Sequence, residues 1–206
     1  MFLRDRATQA EYLDEPVRTP AELRRHYLAL ARVNQLTCFH RPFRMWLPQL
    51  LGPEACQRLT ALDLGAGDGS LGRQLTAWAF ERKWHWEFTN LDVNPITTEL
   101  DPNPRQVIGS VTDLPFSDAS FDVVIATTMT HHLATDAEVV AHFREAARVS
   151  RRVILLCDLH RNIVFLAGLW ALMLAAGLPR EFRADGTLSI RRGWRTGEWQ
   201  RLAVTK

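Results

Sequence analysis

One carboxylate and three closely spaced glycines carry the strongest chemical signal in this 206-residue chain. Asp63 lies at the end of an apolar run, Leu59–Leu64, and Gly65, Gly67 and Gly69 follow within LDLGAGDGSLG. Glycine accepts positive φ and lets a ligand come close to the main chain. Placed between a strand and the first turn of a helix, such a loop is a nucleotide-binding device. Two ligand chemistries fit the spacing. A dinucleotide pattern reads through Gly67, Gly69 and Gly72, with Asp92 near the place of the ribose-binding acid. The other pattern is Asp63 followed by the three alternating glycines, which suits a cationic ligand, because a carboxylate at that point repels a pyrophosphate. The dinucleotide reading also requires its first strand to run through Asp63 and Gly65, so the cationic ligand is preferred. A plain structural turn is the reading that needs no ligand.

A second group of residues could move a proton. His131 and His132 are adjacent, and His160 lies close to Asp158 and Arg161. Imidazole titrates near neutrality and serves as a general base toward a hydroxyl or phenol. Adjacent histidines in an extended segment point in different directions, so one of the pair is expected to face an acceptor. Asp158 could orient His160. Neither HExxH nor a paired Cys/His spacing is present, so no metal site is expected.

These residues must be held by an alternating pattern of strands and helices. Apolar or β-branched runs predict strands at Leu59–Leu64, Trp86–Asp92, Gln106–Ile108, Phe121–Thr127 and Val153–Asp158. Helices are expected from Pro20, over Ser70–Arg82, over Thr135–Val149 and over Thr196–Val204. Alternation of this kind argues for a parallel sheet with helical crossovers. Ile163–Leu178 is sixteen residues without a charge. That falls short of the roughly 18–20 apolar residues of a membrane span, so it reads as a buried helix or as a lid over a lipophilic substrate. Firm membrane insertion is not expected.

In combination, these motifs resemble the class I S-adenosylmethionine-dependent methyltransferases, in particular those that act on small molecules such as quinones and aromatic polyketides. The resemblance covers Leu59 to Asp158. It implies a Rossmann-like, doubly wound, mostly parallel α/β sheet of order 3-2-1-4-5 and S-adenosyl-L-methionine as cofactor. It also implies roles for single residues. Asp63, Gly65, Ala66 and Gly67 would hold the amino-acid end of the cofactor, Asp92 and Val93 the ribose end, and Ser110 and Val111 the adenine side. Thr127 would lie at the carboxyl end of the fourth strand, where ligands of open α/β sheets bind. Ser110 departs from the aspartate usual in the family. His131, His132 and His160 would be the catalytic candidates, with O-methylation of a hydrophobic or aromatic acceptor favoured.

The expected organisation is an N-terminal helical cap (1–52), the cofactor-binding core (53–160) and an apolar helix with a C-terminal segment (161–206) in the same domain. Family members end with a further helix and an antiparallel hairpin, and this chain reads as shortened there. Only Thr187–Arg191 leaves room for one more strand. The fifth strand would then be an edge, covered by the apolar helix or by a second subunit in a homodimer. Net charge is +2, so composition gives no nucleic-acid footprint. Cys38, Cys56 and Cys157 have no metal or disulfide spacing, and the charged N-terminus does not read as a signal peptide, so a cytoplasmic protein is expected. Two rival functions remain at this level: an NAD(P)-dependent oxidoreductase, and a methyltransferase-like binding protein without catalysis. Against the oxidoreductase, the chain's two tyrosines, Tyr12 and Tyr27, both precede the sheet.

Overall fold

The computed structural model describes residues 3–15, 18–54, 56–103 and 105–204. In chain order these residues form α1 (Pro20–Leu36), α2 (Arg41–Leu51), β1 (Arg58–Leu64), α3 (Ser70–Phe80), β2 (His85–Asp92), α4 (Thr97–Leu100), β3 (Gln106–Ile108), β4 (Phe121–Thr127), α5 (Asp136–Val149), β5 (Ser150–Cys157), α6 (Ile163–Ala175), α7 (Arg180–Arg192) and α8 (Thr196–Val204). Single 3₁₀ turns lie at Tyr12–Asp14 and Thr130–His132. The chain divides into two compact units. One is the sheet unit, Asn34–Thr127 with Ala141–Cys157. The other is helical and gathers the residues up to Val33, Thr128–Val140 and those from Asp158 onward.

In the sheet unit all strand neighbours are parallel and their order is β3-β2-β1-β4-β5, the Rossmann-like order expected from the sequence. Buried central strands of this kind read as nearly continuous apolar runs. Alternate residues of β1 and β4 supply the two faces. Leu59, Ala61, Val123 and Ile125 join Phe43 and Leu47 of α2 and Leu71, Leu75 and Ala79 of α3 in one core, while Leu62, Leu64, Val124 and Ala126 are buried on the other face. Phe43 and Leu47 are fully buried, so α2 is part of the sheet's core. Pro48 is tolerated in α2 because the helix ends one turn later, where Gly52 N–H donates to the Pro48 carbonyl at 3.0 Å. Asp122 fixes the β1–β4 register by accepting from Thr60 N at 3.0 Å and Thr60 Oγ1 at 2.9 Å.

Trp78, Trp84 and Trp86 pack edge-on or stacked at 5.6–5.9 Å between centroids. Trp86 Nε1 donates to the Cys56 carbonyl at 2.8 Å. Three of the seven tryptophans are therefore spent on packing.

In the helical unit α6 begins at an Asn162 cap, whose side chain accepts from Phe165 N at 2.7 Å. Leu169 and Met173 of α6 are buried, while Ile163, Val164, Trp170 and Leu174 are exposed. Among the described residues no helix is long and apolar enough to cross a membrane. Thr187–Arg191, where the sequence left room for a sixth strand, lies inside α7 and is helical. Phe182 and Ile190, eight residues apart, are both buried in this helix. Gly186 lets α7 approach α6 closely: a Cβ there would stand 2.9 Å from Met173 Sδ.

Candidate active site

The glycine loop after β1 is tied to the end of β2. Gly65 N and Ala66 N both donate to the Leu91 carbonyl, at 2.8 and 3.1 Å. Gly67 N donates to Asp92 Oδ2 at 2.9 Å, and Asn94 N donates to Asp92 Oδ1 at 2.9 Å. Gly65, Gly67 and Gly69 all have positive φ (68°, 57° and 69°), which explains the glycine at each place. Gly69 has a second reason: a Cβ would stand 2.4 Å from the carboxylate of Asp101. Asp101 is itself buried and bonded to Asn90 Nδ2 and to Arg73 Nη1, the latter at 3.0 Å. Asp92 thus shapes the loop as well as standing at the β2 end. Each of its oxygens accepts one N–H, from Gly67 and from Asn94.

Asp63 is 1% exposed, and neither of its carboxylate oxygens has a hydrogen-bond partner. Burial pushes this carboxyl well above the usual carboxylate range, and the neighbouring Asp92, Asp101 and Asp68 push it the same way. Buried polar groups are almost always satisfied, so the orphaned Asp63 carboxyl, just before the glycine loop, leaves room for a cationic partner. The residues present therefore fit the ammonium end of S-adenosylmethionine. They do not fit a pyrophosphate, which would add negative charge to four carboxylates. Thr127 Oγ1, at the carboxyl end of β4, is a second buried polar atom without a partner.

The remaining cofactor candidates also belong to the sheet unit. Val93 is 74% exposed directly after Asp92, an open apolar surface next to the carboxylate. Ser110 is exposed and its Oγ shares a 2.8 Å hydrogen bond with Thr112 Oγ1. Val111 is half-buried. The short segment after β3 is a turn closed by a bridge between Ser110 and Asp113.

The three histidines lie in the helical unit, in different surroundings. His131 is 2% exposed and its Nδ1 lies 2.6 Å from Asp158 Oδ1. Asp158 Oδ2 also accepts from His131 N at 2.7 Å. Burial alone would lower the His131 pKa, but the charge and hydrogen bond of Asp158, with those of Glu11, raise it to about 10. His131 therefore holds its proton at neutral pH, which does not suit a general base. His132 is partly exposed and its Nδ1 lies 2.6 Å from Asp14 Oδ1. His160 is exposed and its Nδ1 lies 2.9 Å from Asn162 Nδ2; Asp158, expected to orient His160, is bonded to His131 instead. The rings of His131 and His132 lie 4.4 Å apart at 36°, and both Nε2 atoms face Glu11, at 3.6 and 3.9 Å.

Glu11, Asp14 and Arg192 are the residues that sequence reasoning missed. Burial works to raise the Glu11 carboxyl, but the hydrogen bond and charge of His131 bring it down to about 2. Arg192 is buried and donates to the carbonyls of His131 (3.0 Å), His132 (2.7 Å) and Gln9 (3.0 Å) and to the carboxylate of Asp14. Arg6 Nη2 donates to the His131 and Leu133 carbonyls at 2.7 and 2.6 Å. Two guanidinium groups thus pin the 3₁₀ turn that carries both histidines. Asp14 and His132 are 118 residues apart in sequence, and no local spacing announces such a pair.

Residues 62–153 match the family model described as a methyltransferase domain. Among curated proteins no relative matches the chain. Among solved structures, the chain is similar to a candidate methyltransferase from an antibiotic biosynthesis pathway of Anabaena variabilis. The TM-score is 0.53 and the identity 18%, over 76% of this chain and 56% of that one. It is also similar to a candidate S-adenosyl-L-methionine-dependent methyltransferase from Methanococcus maripaludis. Here the TM-score is 0.54 and the identity 15%, over 79% of this chain and 74% of that one. The chain thus spans little more than half of the Anabaena protein.

Proposed function

We propose, from the class I S-adenosylmethionine-dependent methyltransferase domain that this chain carries, that the protein methylates an oxygen of a small, hydrophobic or aromatic acceptor. The observation that carries the reading is the orphaned, buried Asp63 beneath a loop pinned by Asp92. S-adenosylmethionine, when bound, supplies a methyl carbon made electrophilic by its sulfonium.

The chain's residues have three tasks. Asp63, whose oxygens accept no hydrogen bond among the described residues, gives a positively charged amino-acid end its counter-charge. Asp92 accepts from the ribose hydroxyls while holding Gly67 and Asn94 in place, so the loop and the sugar are set by one carboxylate. Val93 offers apolar surface beside the ribose, Ser110 and Val111 a hydroxyl and apolar surface to the adenine, and Thr127 Oγ1 a polar contact at the end of β4. Catalysis then rests mainly on alignment, since in-line displacement asks little covalent chemistry of the protein.

Of the three histidines, His132 is the proposed base. Its Nδ1 is bonded to Asp14, its Nε2 is the nitrogen left to take a phenol or hydroxyl proton, and it is partly exposed. His131 is sealed between two carboxylates and orients the turn, and His160 remains a weaker candidate. The oxidoreductase reading is not favoured, because the same Asp63 charge opposes a pyrophosphate.

Calorimetric titration with S-adenosylhomocysteine tests the cofactor half. Micromolar binding by the wild type and a loss of at least tenfold in Asp92→Ala are expected. A folded wild type that binds NADH in preference would overturn it. Mass spectrometry across phenols, quinones and polyketides tests the acceptor half, with a gain of one methyl as the expected product.

A further inference from the structure

We propose that Glu11, His131 and His132 form a binding site for one zinc-class divalent transition-metal ion. The site lies wholly within the helical unit, and the argument does not depend on the methyl-transfer reading.

The donor set is the first observation. One carboxylate oxygen of Glu11 and one ring nitrogen of each histidine all lie within 4.8 Å of one another. His131 Nε2 lies 3.6 Å from Glu11 Oε1, and His132 Nε2 lies 3.9 Å from Glu11 Oε2. Tetrahedral ligands about 2.0–2.2 Å from zinc stand about 3.4 Å apart, so donors that lie within 4.8 Å of one another must draw together by about 1.4 Å at most.

The outer partners are the second. Each histidine gives its Nδ1 to a carboxylate, His131 to Asp158 and His132 to Asp14, both at 2.6 Å. A carboxylate on Nδ1 fixes the proton there and turns the Nε2 lone pair toward the third ligand. This is the arrangement that orients metal-bound imidazoles and raises their basicity.

The third observation is a buried carboxylate. Glu11 is 3% exposed; its Oε1 lies 3.6 Å from His131 Nε2 and its Oε2 accepts from Ser189. Arg192 Nε lies 3.4 Å from Glu11 Oε1 but donates to the His131 carbonyl.

Charge also allows the ion. With both imidazoles neutral, Glu11, Asp14 and Asp158 carry three negative charges against Arg6 and Arg192 with two positive, so the cluster stands at −1 and a divalent ion takes it to +1. The donor types, two imidazoles and a carboxylate, suit zinc and its transition-metal neighbours better than magnesium or calcium. His132, 26% exposed at its side chain, gives a route of entry and room for water as fourth ligand. Occupation withdraws the His132 lone pair from any acid–base role.

The test uses chelator-stripped full-length protein without cofactor or acceptor. Zinc is titrated by calorimetry, and the coordination is read from the visible spectrum with cobalt(II). The expected result is one ion per chain at micromolar or tighter affinity and an intense, four-coordinate cobalt spectrum. Glu11→Gln and His132→Gln should each weaken binding at least 100-fold, and Asp14→Asn by 10–100-fold. Cys38→Ser, at an exposed residue outside the cluster, should leave it unchanged. If Glu11→Gln fails to fold, the partly exposed His132→Gln decides the matter alone. A folded wild type that takes up no stoichiometric ion, or affinity unchanged in His132→Gln, would overturn the proposal.

Discussion

Asp63→Asn should make the protein more stable and worse at holding its cofactor. Both carboxylate oxygens of Asp63 are buried without partners, and three further aspartates raise the free energy of its charged form. An unmatched buried polar atom costs about 1–3 kcal/mol. Asparagine keeps one acceptor but replaces the other with an NH2 that the surrounding carboxylates attract, so about 1–3 kcal/mol should be recovered. For a chain of this size that is a rise in Tm of about 2–12 °C. The pH dependence separates this from a generic packing effect. The folded-state pKa of Asp63 is raised, so in the wild type its contribution to stability is intact below the unfolded value of about 3.9 and is lost as pH rises toward the folded value. Wild type and variant should therefore melt together near pH 3.5 and separate progressively above pH 4. S-adenosylhomocysteine should bind the variant about 10–150-fold more weakly, since a hydrogen bond to a charged group is worth about 1.5–3 kcal/mol. Scanning calorimetry from pH 3.5 to 8 with parallel ligand titrations measures both. A variant that melts at or below the wild type at pH 7.5 would refute the reasoning, as would unchanged affinity for the ligand.

Further substitutions probe the same two units. Gly69→Ala places a Cβ against the Asp101 carboxylate at positive φ and should lower stability by about 2–4 kcal/mol in urea unfolding. Asp92→Asn should lower stability by about 1 kcal/mol and ligand affinity about tenfold, because the loop N–H groups lose a charged acceptor; titration and melting read both. In the helical unit the fully buried Arg161 guanidinium is paired with the partly exposed Glu198 and donates to Gly193 O at 2.6 Å. Glu198→Gln should lower the unfolding free energy by about 1–3 kcal/mol, less than for a fully buried pair, with far-ultraviolet circular dichroism as the check.

The sheet was legible because each strand carries its own signal. The apolar run before Asp63, the β-branched Phe121–Thr127 and the Asn94-Pro95 stop define boundaries locally, and the glycine loop fixes which strand is central. Asp92 could be placed for the same reason. The α7 segment was harder. Thr187–Arg191 read as room for one more strand, whereas it lies inside α7, where Gly186 admits Met173. The histidine cluster could not be read from spacing at all. Its partners come from residues 11–14, 130–132, 158 and 192, and only tertiary structure brings them to one place.

Asp14 and Arg192 are 178 residues apart, and this has a consequence for biogenesis. A chain made from its N-terminus exposes residues 3–33 early, long before Arg192 has been added. The sheet unit lies between these pieces in sequence and can assemble while the helical unit still lacks the residues from Asp158 onward. Contacts of such long range form late, because loop closure must precede any gain from them. Until then the carboxylates of Glu11 and Asp14 have neither their arginine nor their histidines, and they remain hydrated. The helical unit is therefore expected to close only after Arg192 has been added. Its amide protection in pulse-labelled hydrogen exchange should lag that of the sheet on refolding by a separate kinetic phase.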